Sequence, residues 1–247
     1  MDNYVFNRYR SEANNWLKNG RQSLLKELVE SSIVNCKQIE ILEIGPGVGQ
    51  NIPLLSRYGS VDAVEEHPQG LSAIQCIPEL RKVYPMSVPF ALNKNYDIIC
   101  ALDVLEHVED DIGFINWISR HLKAEGIFIA IVPAYQWLFS NHDLALGHYR
   151  RYSSKQLSGK ISSELEVLHA GYFNSILFPI PCIFRLVKNL FARKCTKTDI
   201  KKKDSSNLPY IVELIFGALL DFEVMLIKNN FRLPYGLSAY CVARRKH

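Results

Sequence analysis
Residues 41–50 read ILEIGPGVGQ, three glycines within five positions directly after an apolar run, and no other stretch narrows the fold as sharply. Ile39 to Ile44 has the isoleucine and leucine content of a buried strand around Glu43. Gly45-Pro46-Gly47-Val48-Gly49 then breaks the chain into a turn that leads to a helix, the start of a βαβ unit. Glycine adopts positive φ without penalty and lets a ligand lie against the main chain, so the turn is suited to close approach. The dinucleotide fingerprint G-x-G-x-x-G would need its third glycine at position 50, where Gln50 stands, which disfavours a nicotinamide cofactor. No G-x-x-x-x-G-K-[ST] follows either, so a phosphate cradle of the nucleoside-triphosphate kind is not indicated.

Two further strand ends carry acids. Gly59-Ser60-Val61-Asp62-Ala63-Val64-Glu65-Glu66 is a short strand closing on a glutamate pair, about 20 residues beyond the glycines, the offset at which such a sheet puts a carboxylate on ribose hydroxyls. Asn95 to Leu102 is an apolar strand running into Asp103-Val104-Leu105-Glu106-His107-Val108, and Asp103 thereby sits at the carboxyl edge of the sheet, where ligands bind. Glu43, Gly45, Gly47 and Gly49 closely resemble the first motif, E-x-G-x-G-x-G, of the class I S-adenosylmethionine (SAM) dependent methyltransferases. D-V-L-E-H-V at 103–108 resembles the form seen in ubiquinone-biosynthesis-like members of that family. The resemblance implies SAM as cofactor and a Rossmann-like, doubly wound α/β sheet of seven strands, mostly parallel with the last antiparallel. It places Glu43 where it holds the loop and the cofactor's amino group, Glu65 on the ribose with Glu66 in reserve, Asp103 beside the methionine moiety, and His107 facing the reaction pocket. One departure stands out: where many members carry an acid after the third strand for the adenine amino group, this chain reads Lys82 to Phe90, leaving Ser87 or a backbone group.

The chain of 247 residues, 48% hydrophobic, can bury a full core as one domain with room for an insertion. Its start lacks an apolar signal core, and no run approaches the roughly 18 to 20 apolar residues of a spanning helix. A cytoplasmic protein is expected, with the inner face of the membrane as a contact. Cys36, Cys76, Cys100, Cys182, Cys195 and Cys241 are scattered without C-x-x-C spacing, so reduced thiols are expected, with no zinc site and no disulfide frame. The single domain divides into a helical cap at 1–35, a SAM-binding core at 36–170, an apolar helical insertion at 171–230 and a final edge strand at 231–247. In the cap, helical from Glu12 to Ser32, Trp16 and Arg21 echo a tryptophan-then-arginine pattern of the resembling family, with core packing as the alternative for Trp16.

Residues 134–152, AYQWLFSNHDLALGHYRRY, crowd His, Arg, Tyr and Trp onto a loop after a central strand, where functional residues concentrate. They resemble a bacterial methyltransferase subgroup with an H-D…G-H-x-R-R-Y signature. An alcohol nucleophile benefits from a base near neutral pKa, so His142 is the first candidate, followed by His148 and His107, with Asp143 orienting a histidine. Asp143, Tyr149, Arg150, Arg151 and Tyr152 are the candidate substrate contacts. The arginine pair suits a phosphate or carboxylate, or else a solvated surface. His-x5-His alone is poor evidence for a metal, and none is expected. Tyr172 to Phe191 is apolar, broken by Pro179 and Pro181, and followed by basic residues 193–203, a pattern that suits an anionic membrane surface or an internally packed lid. Tyr210 to Ile227 is an apolar helix bound for internal packing, a dimer interface or lipid.

The reading is therefore a SAM-dependent methyltransferase acting on a hydroxyl of a small-molecule or lipid-linked acceptor, such as a glycan or envelope intermediate. C- or carboxyl-methylation of a quinone-like metabolite and a non-catalytic SAM-binding regulator are the alternatives. Nucleic acid is not expected as a partner, because a net charge of +4 offers little backbone neutralisation and no N-P-P-Y-type motif is present.

Overall fold
In the computed structural model, residues 16–33, 38–180, 182–183 and 209–246 are described. The start of the cap before Trp16, Cys36, Cys195 and the basic run 193–203 lie outside them. A helix, α1 (Trp16–Ser32), precedes β1 (Ile39–Ile44), α2 (Ile52–Leu55), β2 (Gly59–Val64), α3 (Pro68–Ile74), β3 (Leu80–Tyr84) and β4 (Tyr96–Leu102). There follow α4 (Asp111–His121), β5 (Leu122–Pro133), α5 (Asn141–Leu146), α6 (Ser154–Ile161), β6 (Leu165–Phe173), α7 (Tyr210–Lys228) and β7 (Ser238–Arg245). The seven strands form one sheet in the order β3-β2-β1-β4-β5-β7-β6, parallel except that β7 runs against both of its neighbours. This is the doubly wound, Rossmann-like sheet that the sequence predicts. The final strand is not an edge strand, however. It is inserted between β5 and β6, so both of its hydrogen-bonding sides are paired, and Ser238 to Val242 are buried.

Strands buried on both faces read as continuous apolar runs. Ile41, Leu42, Ile44, Ile98, Ile99, Phe128 and Ile129 accordingly divide between two core layers, one on each side of the sheet. On one side α4 and α6 contribute Phe114, Trp117, Leu157 and Ile161; on the other α1, α2 and α7 contribute Leu24, Leu25, Ile52, Leu55 and Leu220. Each such side chain stabilises the fold by about 1.5–3 kcal/mol on burial. The insertion helix α7 packs along α1: Leu220 lies where a Cβ on Gly20 would be, so only glycine lets the two helices approach this closely. Trp16 packs edge-on against Phe216 at 5.0 Å, the core-packing alternative for that residue.

The strand order reverses between β1 and β4, and parallel sheets bind ligands beyond the carboxyl ends of strands at such a switch point. The glycine turn, Glu65, Asp103 and the loop after β5 all leave the sheet at that edge.

Candidate active site
The glycine turn needs its glycines. Gly45, Gly47 and Gly49 have φ of 64°, 59° and 77°, the left-handed region that L side chains rarely adopt. A Cβ built on Gly47 would meet nothing within 4 Å, so this residue faces open space. Glu65 ties the turn to β2: its Oε2 accepts from the Gly47 N–H at 3.0 Å and its Oε1 from the His67 N–H at 2.9 Å. Burial pushes the Glu65 pKa up, against the pull of those two backbone donors. Glu43 stands behind the turn, 1% exposed, with Oε1 accepting from the Asn51 side chain at 2.9 Å. Its Oε2 has no hydrogen-bonding partner among the described residues, and burial, opposed by Asn51 and reinforced by Glu65, carries the carboxyl pKa up to about 7. Asp103, at φ 55°, donates its N–H to the Ile131 carbonyl at 2.8 Å and pairs its carboxylate with Arg21, which also donates to Ser238 Oγ at 2.9 Å.

Two cavities meet at this turn. The larger, about 560 Å³, is lined by Gly45, Gly47, Glu65, Asp103, His107 and Tyr149, among others; the smaller, about 160 Å³, lies toward α1 between Arg21, Gln22, Asn51 and the same glycines. Bare backbone at Gly47 and the Glu65 carboxylate at the end of β2, both on the wall of the large cavity, fit a ligand that presents hydroxyl donors, as the ribose of SAM does; Glu43 stands behind the turn and lines neither cavity. Met86 to Pro89 wall the large cavity where an adenine acid would otherwise stand, and Glu66 lines it as well.

On the substrate side the polar residues are engaged with one another. Ser140 and Asp143 form a capping box at α5, and Asp143, fully buried, accepts from the Ser140 N–H and Oγ and from Arg151 Nε at 2.7 Å, while His148 Nδ1 lies 3.1 Å away. Burial alone would raise its pKa; Arg151, then Ser140, hold it down at about 2. Arg150 donates to Asp111 at 2.9 Å and to the Glu109 carbonyl at 2.8 Å. Tyr152, 2% exposed, donates to Asp111 at 2.9 Å. The arginine pair and Tyr152 thus bond internal carboxylates, and none of the three is among the residues lining the large cavity. Asp143 orients a histidine, but that histidine is His148. Tyr149 alone of this group lines the cavity, 54% exposed.

The three candidate histidines separate. His142 is exposed on α5 and is not among the residues lining either cavity. His107 lines the large cavity, on a 3-10 turn held beside the loop by a hydrogen bond from the Tyr149 N–H to the Glu106 carbonyl at 2.7 Å. His148 stands behind it, the two rings edge to face at 4.5 Å. Burial, then the neighbouring His148, lowers the His107 pKa to about 4; its ring is hydrogen-bonded to the Gly147 main chain, and Nε2 has no partner among the described residues. Burial likewise places His148 below the ordinary imidazole range, against the pull of Asp143. Glu106, which the sequence reading passed over, is fully buried beside them, and neither of its oxygens receives a hydrogen bond from another described residue. Burial, then Asp103, pushes its pKa well up. Glu106, His107 and His148 each offer one donor atom, all within 4.8 Å of one another, a set that a shared proton or a divalent cation could occupy. The Ser140-x-x-Asp143 capping box was a visible signal for the Asp143 geometry; for Glu106 the only signal was its place next to His107.

A doubly wound sheet with a glycine turn, strand-end acids and two cavities at its switch point defines a class of nucleoside-cofactor enzymes. The chain belongs to the methyltransferase domain family, whose model matches residues 9–168. It is 30% identical over 115 residues to the ubiquinone biosynthesis O-methyltransferase of Rickettsia canadensis, a match that covers 44% of this chain and about half, 49%, of that relative's length. The fold is shared with the N-methyltransferase NodS of Bradyrhizobium japonicum in complex with S-adenosyl-L-homocysteine (TM-score 0.58, 12% identity, 96% of this chain and 91% of that one). It is shared equally with a Haloferax volcanii methyltransferase bound to the Trm112 activator (TM-score 0.59, 13% identity, 99% and 95%).

Proposed function
We propose that the protein transfers the methyl group of SAM to a hydroxyl oxygen of a small-molecule or lipid-linked acceptor, with His107 receiving the proton. The observation that carries this reading is the His107 side chain, held neutral by burial, on the wall of the large cavity that Asp103 also lines; its Nε2 is itself buried and has no partner among the described residues. Bound SAM supplies a methyl already activated by its sulfonium, so the protein's main work is alignment, worth on the order of 7–11 kcal/mol in well-oriented reactions. The acceptor hydroxyl loses its proton as its oxygen gains the methyl, and a neutral imidazole can take it; burial, which lowers the His107 pKa to about 4, keeps the ring in that neutral form. His148, held by Asp143, backs the His107 ring, and Tyr149 covers the outer wall of the cavity. The O-methyltransferase among the relatives supports the choice of oxygen.

The test is to incubate the enzyme with methyl-labelled SAM and hydroxylated acceptors, including catechols and polyprenyl-linked sugars, and to locate the label by mass spectrometry and NMR. Label on oxygen, lost with His107→Ala while SAM still binds, is the expected result. Label on carbon or nitrogen, or turnover unchanged in His107→Ala, would overturn the assignment.

A further inference from the structure
The irregular stretch after β3 is held from one side only. Met86 to Pro89 line the large cavity, and Pro89 to Asn93 line another of about 380 Å³ together with Asn116, Trp117 and His121, so the chain here is a partition between two cavities. Among the described residues, hydrogen bonds reach positions 87–93 from two side chains alone, and both stand on one face of α4. The Trp117 Nε1–H donates to the Phe90 carbonyl at 2.7 Å. One turn further on, His121 places Nε2 3.0 Å from the Leu92 carbonyl and Nδ1 2.7 Å from the Trp117 carbonyl. The rings follow in the same order, Phe90 beside Trp117 at 5.3 Å and Trp117 beside His121 at 4.1 Å.

The helix that grips this stretch is itself anchored. Phe114, Ile115 and Ile118 are buried in the core, and Asp110 caps the first turn by accepting from the Gly113 N–H at 3.0 Å. From Glu65 the large cavity runs between apolar groups of two segments, Met86, Val88 and Pro89 after β3 and Val104, Val108 and Phe114 after β4. Two apolar walls suit the faces of a purine, as apolar linings with few polar groups do in ligand sites generally. α4 therefore carries Phe114 in one wall and, through Trp117 and His121, holds the other. Residues of this second tier, set on a rigid element, are what keep a binding wall in its place.

We propose that Trp117 and His121 are positioning residues for the cofactor, holding the 87–93 stretch at the spacing from Phe114 that the base of SAM requires. The inference rests on SAM occupying the large cavity, and it is read from affinity, without acceptor or turnover. The test is calorimetric titration of two ligands, S-adenosyl-L-homocysteine and S-ribosyl-L-homocysteine, the second of which keeps the ribose and the amino acid but lacks the base. They are titrated into the wild type, Trp117→Phe, His121→Ala and His121→Gln, with hydrogen exchange followed along the chain. Trp117→Phe keeps a ring and removes the donor. Affinity for S-adenosyl-L-homocysteine should fall about 3- to 10-fold in Trp117→Phe and in His121→Ala, the size of one net hydrogen bond. It should return in His121→Gln, whose amide restores a donor to Leu92. Affinity for S-ribosyl-L-homocysteine should stay as in the wild type, and faster exchange should be confined to residues 86–95. Unchanged affinity for S-adenosyl-L-homocysteine in both weakened variants, or equal losses for the two ligands, the mark of a merely structural role, would overturn the proposal. A wild type that binds neither ligand would remove the cofactor reading and the proposal with it.

Discussion
The cofactor side and the substrate side of the cleft lie on one edge of one sheet, yet they use their charged residues in opposite ways. Around the glycine turn, polar capacity is left open: Glu43 keeps one buried oxygen unpartnered and its carboxyl pKa rises to about 7. In the loop after β5, Asp143 takes up Ser140, Arg151 and His148 together and its pKa falls to about 2. Desolvation keeps a buried carboxyl with a single donor neutral, whereas a loop that must hold its shape satisfies its charges internally. His107 and Glu106 are the exceptions on the substrate side, and His107, which lines the large cavity, is the one assigned to chemistry.

The largest effect should come from that exception. His107→Ala is expected to lower the turnover rate by about 10²- to 10⁴-fold while the SAM affinity, measured by calorimetry, changes little; equal losses in both would erase the distinction between the two sides. Asp143→Ala should cost about 3–5 kcal/mol in denaturant unfolding, because it leaves Arg151 and the cap of α5 without their buried partner. The pH dependence of stability should carry both signs. Since the folded pKa of Asp143 is depressed, the stability it contributes is present above the ordinary carboxylate value of 3.8 and lost as pH falls toward about 2. Glu43 is raised from 4.5 to about 7, so the ligand-free protein should instead lose stability as pH rises through that interval, by about 3 kcal/mol in all. Glu43→Gln should flatten that slope and leave the acid limb intact, as followed by thermal melts across pH. His142→Ala, on an exposed face away from both cavities, is expected to change turnover less than about twofold; a hundredfold fall would return the base to the position the loop pattern favoured.

What could be read in advance divides along the same line. The parallel strands were legible because burial on both faces demands unbroken isoleucine, leucine and valine, and the turn was legible because only glycine suits three left-handed positions in five. Local pattern shows a residue's type but not its distant partner. Arg150 and Arg151 looked available because Asp111 lies about 40 positions upstream and Asp143 is hidden inside α5's cap. β7 looked like an edge because nothing within Ser238–Arg245 records that β5 and β6 flank it. The order of the histidines reflects the same limit: the density of the loop draws attention to His142, whereas the fold carries His107 from an earlier strand end to the cavity wall, facing His148.

The most direct test of the account is calorimetric titration of SAM and its demethylated product into the wild type and Gly47→Asp. Gly47 has open space before it, and Asp is among the residues that tolerate positive φ. The variant carries the backbone strain of a side chain at φ 59°, which a thermal melt reads, and fills the cofactor's place, so a single site in the wild type and affinity weaker by about a hundredfold or more, roughly 2.7 kcal/mol, in a variant that keeps a cooperative melt is the predicted outcome. No binding to the wild type, or equal affinity in Gly47→Asp, would contradict it.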